Sequence, residues 1–378
     1  MTGNPVRLFF TGDFCPINRI EDMAITKKYD AIFNDFIDEF RKDDLNIIDL
    51  ECPLTLSDDT RPKIGPHQKA HPDCIGALKY AGIHVAAIAN NHFMDYDLEG
   101  AMETLEVCRR NDIITIGVAN NEEEAAKPFT TTIRGRRLAL LNFADNEFLS
   151  STDNSLTCSA INPLQLFYSI KEVRSNHDYV VIIIHAGNEF YELPSPRTKK
   201  LYRFIIDAGA DAVVSHHTHA FSGYEVYRSK PIFYGLGNFI YDFPGKRNEA
   251  WNYGYAVRLF LDDTVDFQLV PLKQGNEKPG VFHLEDEETD TFLDKINRLN
   301  QIIANDRQLE DEFGKYCNIV NPMYEAYIEP NFGKYISFLR RRGFFPRFMT
   351  RRKRMLLLNI IRCDSHRDVL IRMLEKGS

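Results

Sequence analysis

At 378 residues, 44% of them hydrophobic and 26% charged, the chain can build a full core as one large or two modest globular domains. No run of eighteen apolar residues occurs, so no membrane-spanning helix is expected, and seven scattered cysteines without a CxxC exclude a zinc knuckle and a disulfide scaffold. The net charge of −8 is uneven: from Lys334 onward thirteen Lys/Arg face three Asp/Glu, leaving about −18 on the rest, an acidic body that argues against a specific nucleic-acid partner.

In chain order, residues 1–5 pass straight into a strand without a basic region and apolar core, so the expected location is cytoplasmic. Leu8-Phe9-Phe10-Thr11-Gly12 reads as a buried strand that stops at Asp13, and Pro16 turns the chain away just after the acid. A helix is expected over 29–41, with Ile32, Phe33, Phe36 and Phe40 on its core face. Asn46-Ile47-Ile48-Asp49-Leu50 delivers Glu51 and turns at Pro53. Residues 56–70 form a polar loop whose His67, like the neighbouring His71, either lines a pocket or sits on its rim. A helix over 72–80 precedes Val85-Ala86-Ala87-Ile88-Ala89, which runs into Asn90-Asn91-His92 and a helix over 98–111.

A strand over 113–118, a short acidic helix over 122–127 and a hairpin turning at Arg134-Gly135-Arg136 follow. The polar segment 145–162 is expected to be a loop beside the site, ahead of a helix over 163–174. Val180-Val181-Ile182-Ile183-Ile184 stops at His185, and the loop after it carries Glu189. A helix over 197–208 returns the chain to Ala212-Val213-Val214, which ends in Ser215-His216-His217-Thr218-His219. Gly235-Leu236-Gly237-Asn238 marks either backbone brought close to a ligand, with Asn238 as a supporting amide, or a tight turn. Strands over 253–261 and 265–272 finish a sheet. Beyond residue 275 the composition changes, and 276–378 reads as a mainly helical, Arg-rich extension. Its last part interleaves Arg340-Arg341-Arg342 and Arg351-Arg352-Lys353-Arg354 with Phe344, Phe345, Phe348 and Met355 to Leu358. That pattern suits peripheral contact with a membrane surface or polyanion, or a helical hairpin packed on the body.

Collected, the strand ends present Asp13, Glu51, Asn91, His185, His217 and His219 as metal ligands, with His92 beside them. Continuously apolar strands that each stop at one hard-ligand residue are the mark of a sheet edge carrying a site. Two carboxylates, an amide and three imidazoles exceed what one tetrahedral zinc needs and suit two metals roughly 3.5 Å apart. Mixed oxygen and nitrogen donors accept manganese, iron or zinc. An imidazole next to that set is free to exchange a proton with a reacting group, which gives His92 the catalytic role. Asn90, His216, Asn238, Glu189 and His71 are expected to support the ligands or meet the substrate.

Gly12-Asp13, Leu50-Glu51-Cys52-Pro53-Leu54-Thr55, Ala89-Asn90-Asn91-His92, His185-Ala186-Gly187-Asn188-Glu189-Phe190, His216-His217-Thr218-His219 and Tyr234-Gly235-Leu236-Gly237-Asn238-Phe239-Ile240 resemble, in order, the motif blocks of the bacterial capsule-synthesis family called CapA or PgsA. That family looks like a branch of the calcineurin-like metallophosphoesterases, and the resemblance covers about residues 6–272. It implies an α/β four-layer sandwich of two mixed sheets flanked by helices, here a domain over 5–275. It also implies synthesis or export of poly-γ-glutamate or another capsular polymer, with a phosphorylated or polymeric envelope substrate and synthase or export partners. Carried over residue by residue, Asp13 and His219 hold one metal, Asn91, His185 and His217 the other, Glu51 bridges, and His92 gives a proton to the leaving group. The chain departs from the pattern at three places: Cys15 stands where a ligand His is usual, Glu51 where Asp is usual, and Ser215 where Gly is usual. The first metal is thereby one ligand short.

Two functions are best compatible with these residues, and a third, a nucleotide or nucleic-acid phosphodiesterase, is disfavoured by the acidic body. One is a metal-dependent hydrolase, a phosphoesterase by its ligand set, acting on a phosphorylated or polymer-linked envelope intermediate. The other is a non-catalytic accessory protein of capsule polymer synthesis or export that keeps the fold. The missing His at position 15 favours the second, and the retained His92, which a structural metal would not require, favours the first.

Overall fold

A computed structural model describes residues 5–247, 250–275, 277–328 and 350–376. The apolar runs fold as parallel strands: β1 (Val6–Cys15), β2 (Leu45–Leu50), β3 (Val85–Ala87) and β4 (Ile114–Ile116) lie side by side. Antiparallel β14 (Tyr253–Leu261), β15 (Val265–Gln274) and β16 (Val281–His283) extend this sheet beyond β1, and β13 (Asn238–Tyr241) pairs with the end of β1. β16 thus carries the body past the expected boundary at residue 275. The second sheet has the order β11 (Tyr224–Tyr227), β12 (Lys230–Phe233), β10 (Ala212–His216), β9 (Tyr179–His185), β7 (Arg136–Ala144), β6 (Phe129–Ile133). Two short strands, β5 (Val118–Ala119) and β8 (Thr157–Cys158), pair with each other. Gly117, at φ 95°, breaks the strand expected over 113–118.

Period-two alternation divides the larger sheet between two cores. Leu8, Phe10, Ile47, Val85, Val257 and Leu259 face the second sheet. Phe9, Ile48, Ala86 and Ala256 face the helical layer of α1 (Arg19–Ile25), α2 (Tyr29–Phe33), α3 (Ile75–Tyr80) and α4 (Asp97–Arg110). After the short α5 (Glu122–Ala125), α6 (Pro163–Arg174) and α7 (Pro196–Ala208) pack on β9 and β10. The result is helices, sheet, sheet, helices, the four layers the resemblance implies.

The helix expected over 29–41 is broken. Asn34 takes φ 47°, its amide donates to the carbonyls of Ala31 and Val281, and residues Asn34–Lys42 wind as a 3₁₀ helix. The tighter winding keeps Phe36 and Phe40 against Phe9 and Phe239, so packing and the contact with β16 override the α-helical period.

In the C-terminal part, α8 (Asp286–Ala304) sends Phe292, Ile296, Leu299 and Ile303 into the core between the sheets. Lys199, buried on α7, gives its ammonium to the Ile303 carbonyl and to Asp306 at the start of α9 (Asp306–Ile328). Residues Arg351–Arg362 and Asp364–Lys376 form a hairpin, α10 and α11, whose Val369 packs with Phe313, Cys317 and Tyr324 of α9, while Arg351, Arg352 and Arg354 are solvated. The basic and aromatic stretch from Arg340 to Phe348 lies outside the described residues.

Register brings the ligand strands to a common end. Asp13 is level with Asp49 across β1 and β2, with Asn238 across β1 and β13, and His185 is level with His216 across β9 and β10. The pairing of β1 shifts on both sides of this point, a bulge that re-aims Asp13. Here Gly12 is required by space: a Cβ on it would lie 1.9 Å from the Gly237 carbonyl oxygen, and Asp13 N–H donates to that same oxygen at 3.1 Å. At Gly237 the segment is therefore a close approach of backbone to backbone. Gly12→Ala is expected to cost about 1–3 kcal/mol or more, since the obstruction is main chain that cannot rotate away. Thermal unfolding of the metal-free protein checks this, at about 2–4 °C per kcal/mol; an unchanged Tm would contradict it.

Candidate metal centre

The ends of β1, β2, β9 and β10 and the turn after β3 close on one buried focus. Asp13, Glu51, Asn91, His185, His217 and His219 are all buried there, drawn from both sheets. Ligand atoms in three overlapping sets, Glu51/His185/His217, Asp13/Glu51/His219 and Asp13/Asp49/His216, each lie within 4.8 Å of one another. His217 and His219 reach the focus because both take left-handed backbone angles, φ 90° and 54°. Non-glycine residues held in that region cost of order 1–3 kcal/mol each and cluster at functional sites.

On one side, His185 Nε2 lies 3.0 Å from Asn91 Oδ1, 3.1 Å from His217 Nδ1 and 3.5 Å from Glu51 Oε1. Its other nitrogen faces Asp49 Oδ2 at 3.2 Å. A neutral His185 with its proton on Nδ1, toward Asp49, leaves four electron-pair donors facing one another across about 3 Å. On the other side, His219 Nδ1 lies 3.2 Å from Asp13 Oδ2 and 3.0 Å from Asn238 Oδ1, while its Nε2 faces Glu51 Oε1 at 3.6 Å. Glu51 Oε1 therefore stands between the two groups. Aromatic rings of Trp251, Tyr241 and Phe190 surround His219.

Electrostatics sort the imidazoles into two kinds. Burial pulls His185 down to about 3 and, with His185 beside it, His217 to about 4, so both present neutral lone pairs at pH 7. Burial also disfavours charge on His216 and His219, but Asp13 outweighs it and raises both. Reciprocally, burial pushes the Asp13 carboxyl up, and His216 and His219 pull it below the usual carboxylate range. Asp49 and Glu51 are not so relieved: burial, and then the charge of Asp13, pushes Glu51 far above its ordinary range, and burial does the same to Asp49 against the opposing charges of His216 and His219. All four of their carboxylate oxygens are buried without a hydrogen-bond donor, as is His185 Nδ1. Buried polar atoms are almost always satisfied. Orphaned oxygens beside the neutral lone pairs of His185 and His217 fit a site for divalent cations.

A profile of the family described as "Bacterial capsule synthesis protein PGA_cap" matches residues 7–243. The chain belongs to this capsule synthesis family. It is 29% identical over 282 residues to the capsule biosynthesis protein CapA of Bacillus anthracis, covering 71% of this chain and 68% of the relative. Over 237 residues it is 30% identical to the PGA biosynthesis protein CapA of Bacillus subtilis strain 168, with 62% of each chain covered. Among solved structures, the 5'-nucleotidase of Candida albicans SC5314 aligns with 85% of this chain and 58% of its own, at 14% identity and a TM-score of 0.42. No helix among the described residues is long and apolar enough to cross a membrane.

Within this member of the PGA_cap family, the remaining expected residues fall in different places. His92 is buried beside the cluster, with Nδ1 2.7 Å from Asp95 Oδ2 and 3.2 Å from the Lys63 ammonium, which is ion-paired with Asp95. Burial, then Lys63, lowers the pKa of His92, while Asp95 opposes. Asn90 braces the turn, donating to the Leu50 carbonyl and accepting from His92 N–H. Asn238 backs His219, His216 backs Asp13 at 3.2 Å, and Glu189 stands exposed on the loop after β9, close enough for its charge to act on His217 and His219. His71 belongs to none of the clustered ligand sets. Its ring accepts from Asp73 N–H as the cap of a short 3₁₀ turn and its backbone N–H donates to Glu21. Cys15, standing where a ligand His is usual, is buried against Cys52, and burial, then Cys52, pushes its thiol up.

Asp49, Asp95 and Lys63 escaped the sequence reading. Asp49 carried a signal, an acid inside an apolar run and two residues from Glu51, hence on the same strand face. Asp95 follows His92 by three residues at a turn. Lys63 sits in a Pro/Gly-bearing loop with no local signal at all.

Glu51→Gln tests the centre through stability. A carboxyl held above its ordinary range favours its protonated form in the fold, so its cost appears once the pH exceeds about 4.3 and grows as pH rises. In chelator, Glu51→Gln is expected to melt above the wild type, with a gap that widens from pH 5 to pH 8. With manganese added the order reverses. A variant that melts below the wild type in both conditions would contradict the reading.

Proposed function

We propose that this chain is a two-metal hydrolase that cleaves a phosphoester in the assembly of a capsular polymer. Asp13 and His219 would hold one metal, Asn91, His185 and His217 the other, with Glu51 shared between them. Bound there, the metals would polarise a phosphoryl oxygen and prepare water for attack at neutral pH. The observation that carries the reading is the orphaned carboxylate oxygens of Asp49 and Glu51 beside neutral imidazoles.

The chain's own residues supply the rest. Asp49 Oδ2 faces His185 Nδ1 at 3.2 Å and would favour a proton there, leaving the Nε2 lone pair to the focus, the carboxylate–histidine arrangement of many metal sites. Asp95 and Lys63 engage His92 at Nδ1, which leaves Nε2 to pass a proton to the departing oxygen. Asp95 stays ionised beside that ring, because His92 and Lys63 hold its carboxyl below the usual range although burial disfavours its charge. Phosphodiester or phosphomonoester turnover in added manganese tests the proposal, with p-nitrophenyl phosphate and its bis ester as substrates. His92→Asn is expected to lower kcat by about 10²–10⁴ with metal content unchanged. Asp95→Asn should follow it in the same direction.

The departure at position 15, where Cys15 stands in place of a ligand His, favours one alternative, a metal-holding accessory protein without turnover. Absence of hydrolysis of either ester by fully metal-loaded protein would select it.

A further inference from the structure

A cavity of about 280 Å³ opens between the loop after β7 and the C-terminal hairpin. Its walls include Phe148 and Ser151 from the loop, Met355 and Leu358 from α10, and two guanidinium groups, Arg61 and Arg362. The hairpin that closes it is keyed to the metal-ligand strands. The Asp145 carboxylate accepts from the N–H groups of Asp364 and Ser365 and from the Ser365 hydroxyl, at 2.9, 3.1 and 2.6 Å, while Asp145 N–H donates to the His185 carbonyl. Asn188, three residues after His185, donates to the Ser365 carbonyl, and Asn359 of α10 donates to Glu147 at 2.8 Å.

Both arginines line this one cavity, and the charge of Arg362 opposes that of Arg61. Arg61 spends Nη1 on the carbonyls of Phe148 and Ser150, yet its Nε is buried without a partner. Asp97, the acid whose charge acts on it most, accepts at one carboxylate oxygen from the N–H groups of Leu98 and Thr152. Arg362 is exposed at the rim and ion-paired with none of the described carboxylates. Two residues along the chain from Arg61, Lys63 touches both the Phe148 ring, at 5.9 Å, and His92. Like charges converging on a cavity with an unused buried donor call for an anion, and the cavity lies one side chain away from the proposed proton donor.

Resting on the hydrolase reading above, we infer that this cavity is an anion-binding subsite of the substrate, completed by the docked C-terminal hairpin, which takes one carboxylate- or phosphate-bearing unit. Its volume, just under the roughly 300–1,000 Å³ of drug-sized clefts, suits a single small charged unit rather than a long segment. Planar guanidinium forks match both oxyanions.

Calorimetric titration of the full chain tests this, with inorganic phosphate and tetraglutamate as separate titrants, each in manganese and in chelator. Binding of at least one titrant that survives chelation is expected, because the subsite is built by arginine rather than by metal. Arg362→Glu is expected to weaken that binding at least tenfold, with Tm and metal content unchanged, and Arg362→Lys to retain most of it. The titrant that responds identifies the source of the anion. Absence of chelator-resistant binding of either titrant, or wild-type affinity in Arg362→Glu, would overturn the inference. Lack of ester turnover alone would move only the hydrolase reading, since the titration needs no chemistry.

Discussion

Two carboxylates that no donor satisfies organise this molecule. Asp49 and Glu51 sit at the end of a fully buried strand, in a region where an unpaired charge costs several kcal/mol, and none of the described residues donates a hydrogen bond to their oxygens. Around them the chain accepts further costs: two histidines in left-handed backbone, a bulge in β1, and a glycine that no other residue replaces at the β1 crossing. Local rules of strand and turn are broken here and kept elsewhere. Such a concentration of departures is what a functional site exacts from an otherwise consistent fold.

Much of this was legible in the sequence because the scaffold and the site share one pattern. Each parallel strand is buried on both faces and reads as an unbroken apolar run, so the first polar residue after it is conspicuous. Asp13, Glu51, Asn91, His185 and the 217/219 histidine pair were visible for that reason. Asp49 was not, because it lies inside its run rather than after it. Only the face it shares with Glu51 distinguishes it from a core residue. Lys63 and the capping of α11 by Asp145 depend on contacts 29 to 220 residues apart, which no local periodicity encodes. The 3₁₀ winding of Asn34–Lys42 was hidden likewise, since β16 supplies the contact that turns Asn34.

The C-terminal part changes the picture of the chain as a body with an appended tail. α8 contributes to the central core, a buried lysine ties α7 to the start of α9, and α10–α11 seat on the loops that follow β7 and β9. The basic character of the described hairpin is thus divided: Arg351, Arg352 and Arg354 are solvated, whereas Arg362 turns toward the cavity beside the metal centre. The chain belongs to a capsule synthesis family, and the proposed cation, proton-donor and anion sites lie on its own residues.

The central claim is that Glu51 lies between two cations. Anomalous diffraction from crystals grown with manganese measures this directly. The account predicts two peaks, one contacting Asp13 and His219 and one contacting Asn91, His185 and His217, with Glu51 common to both. Saturating manganese with no anomalous density within reach of Glu51 would contradict it.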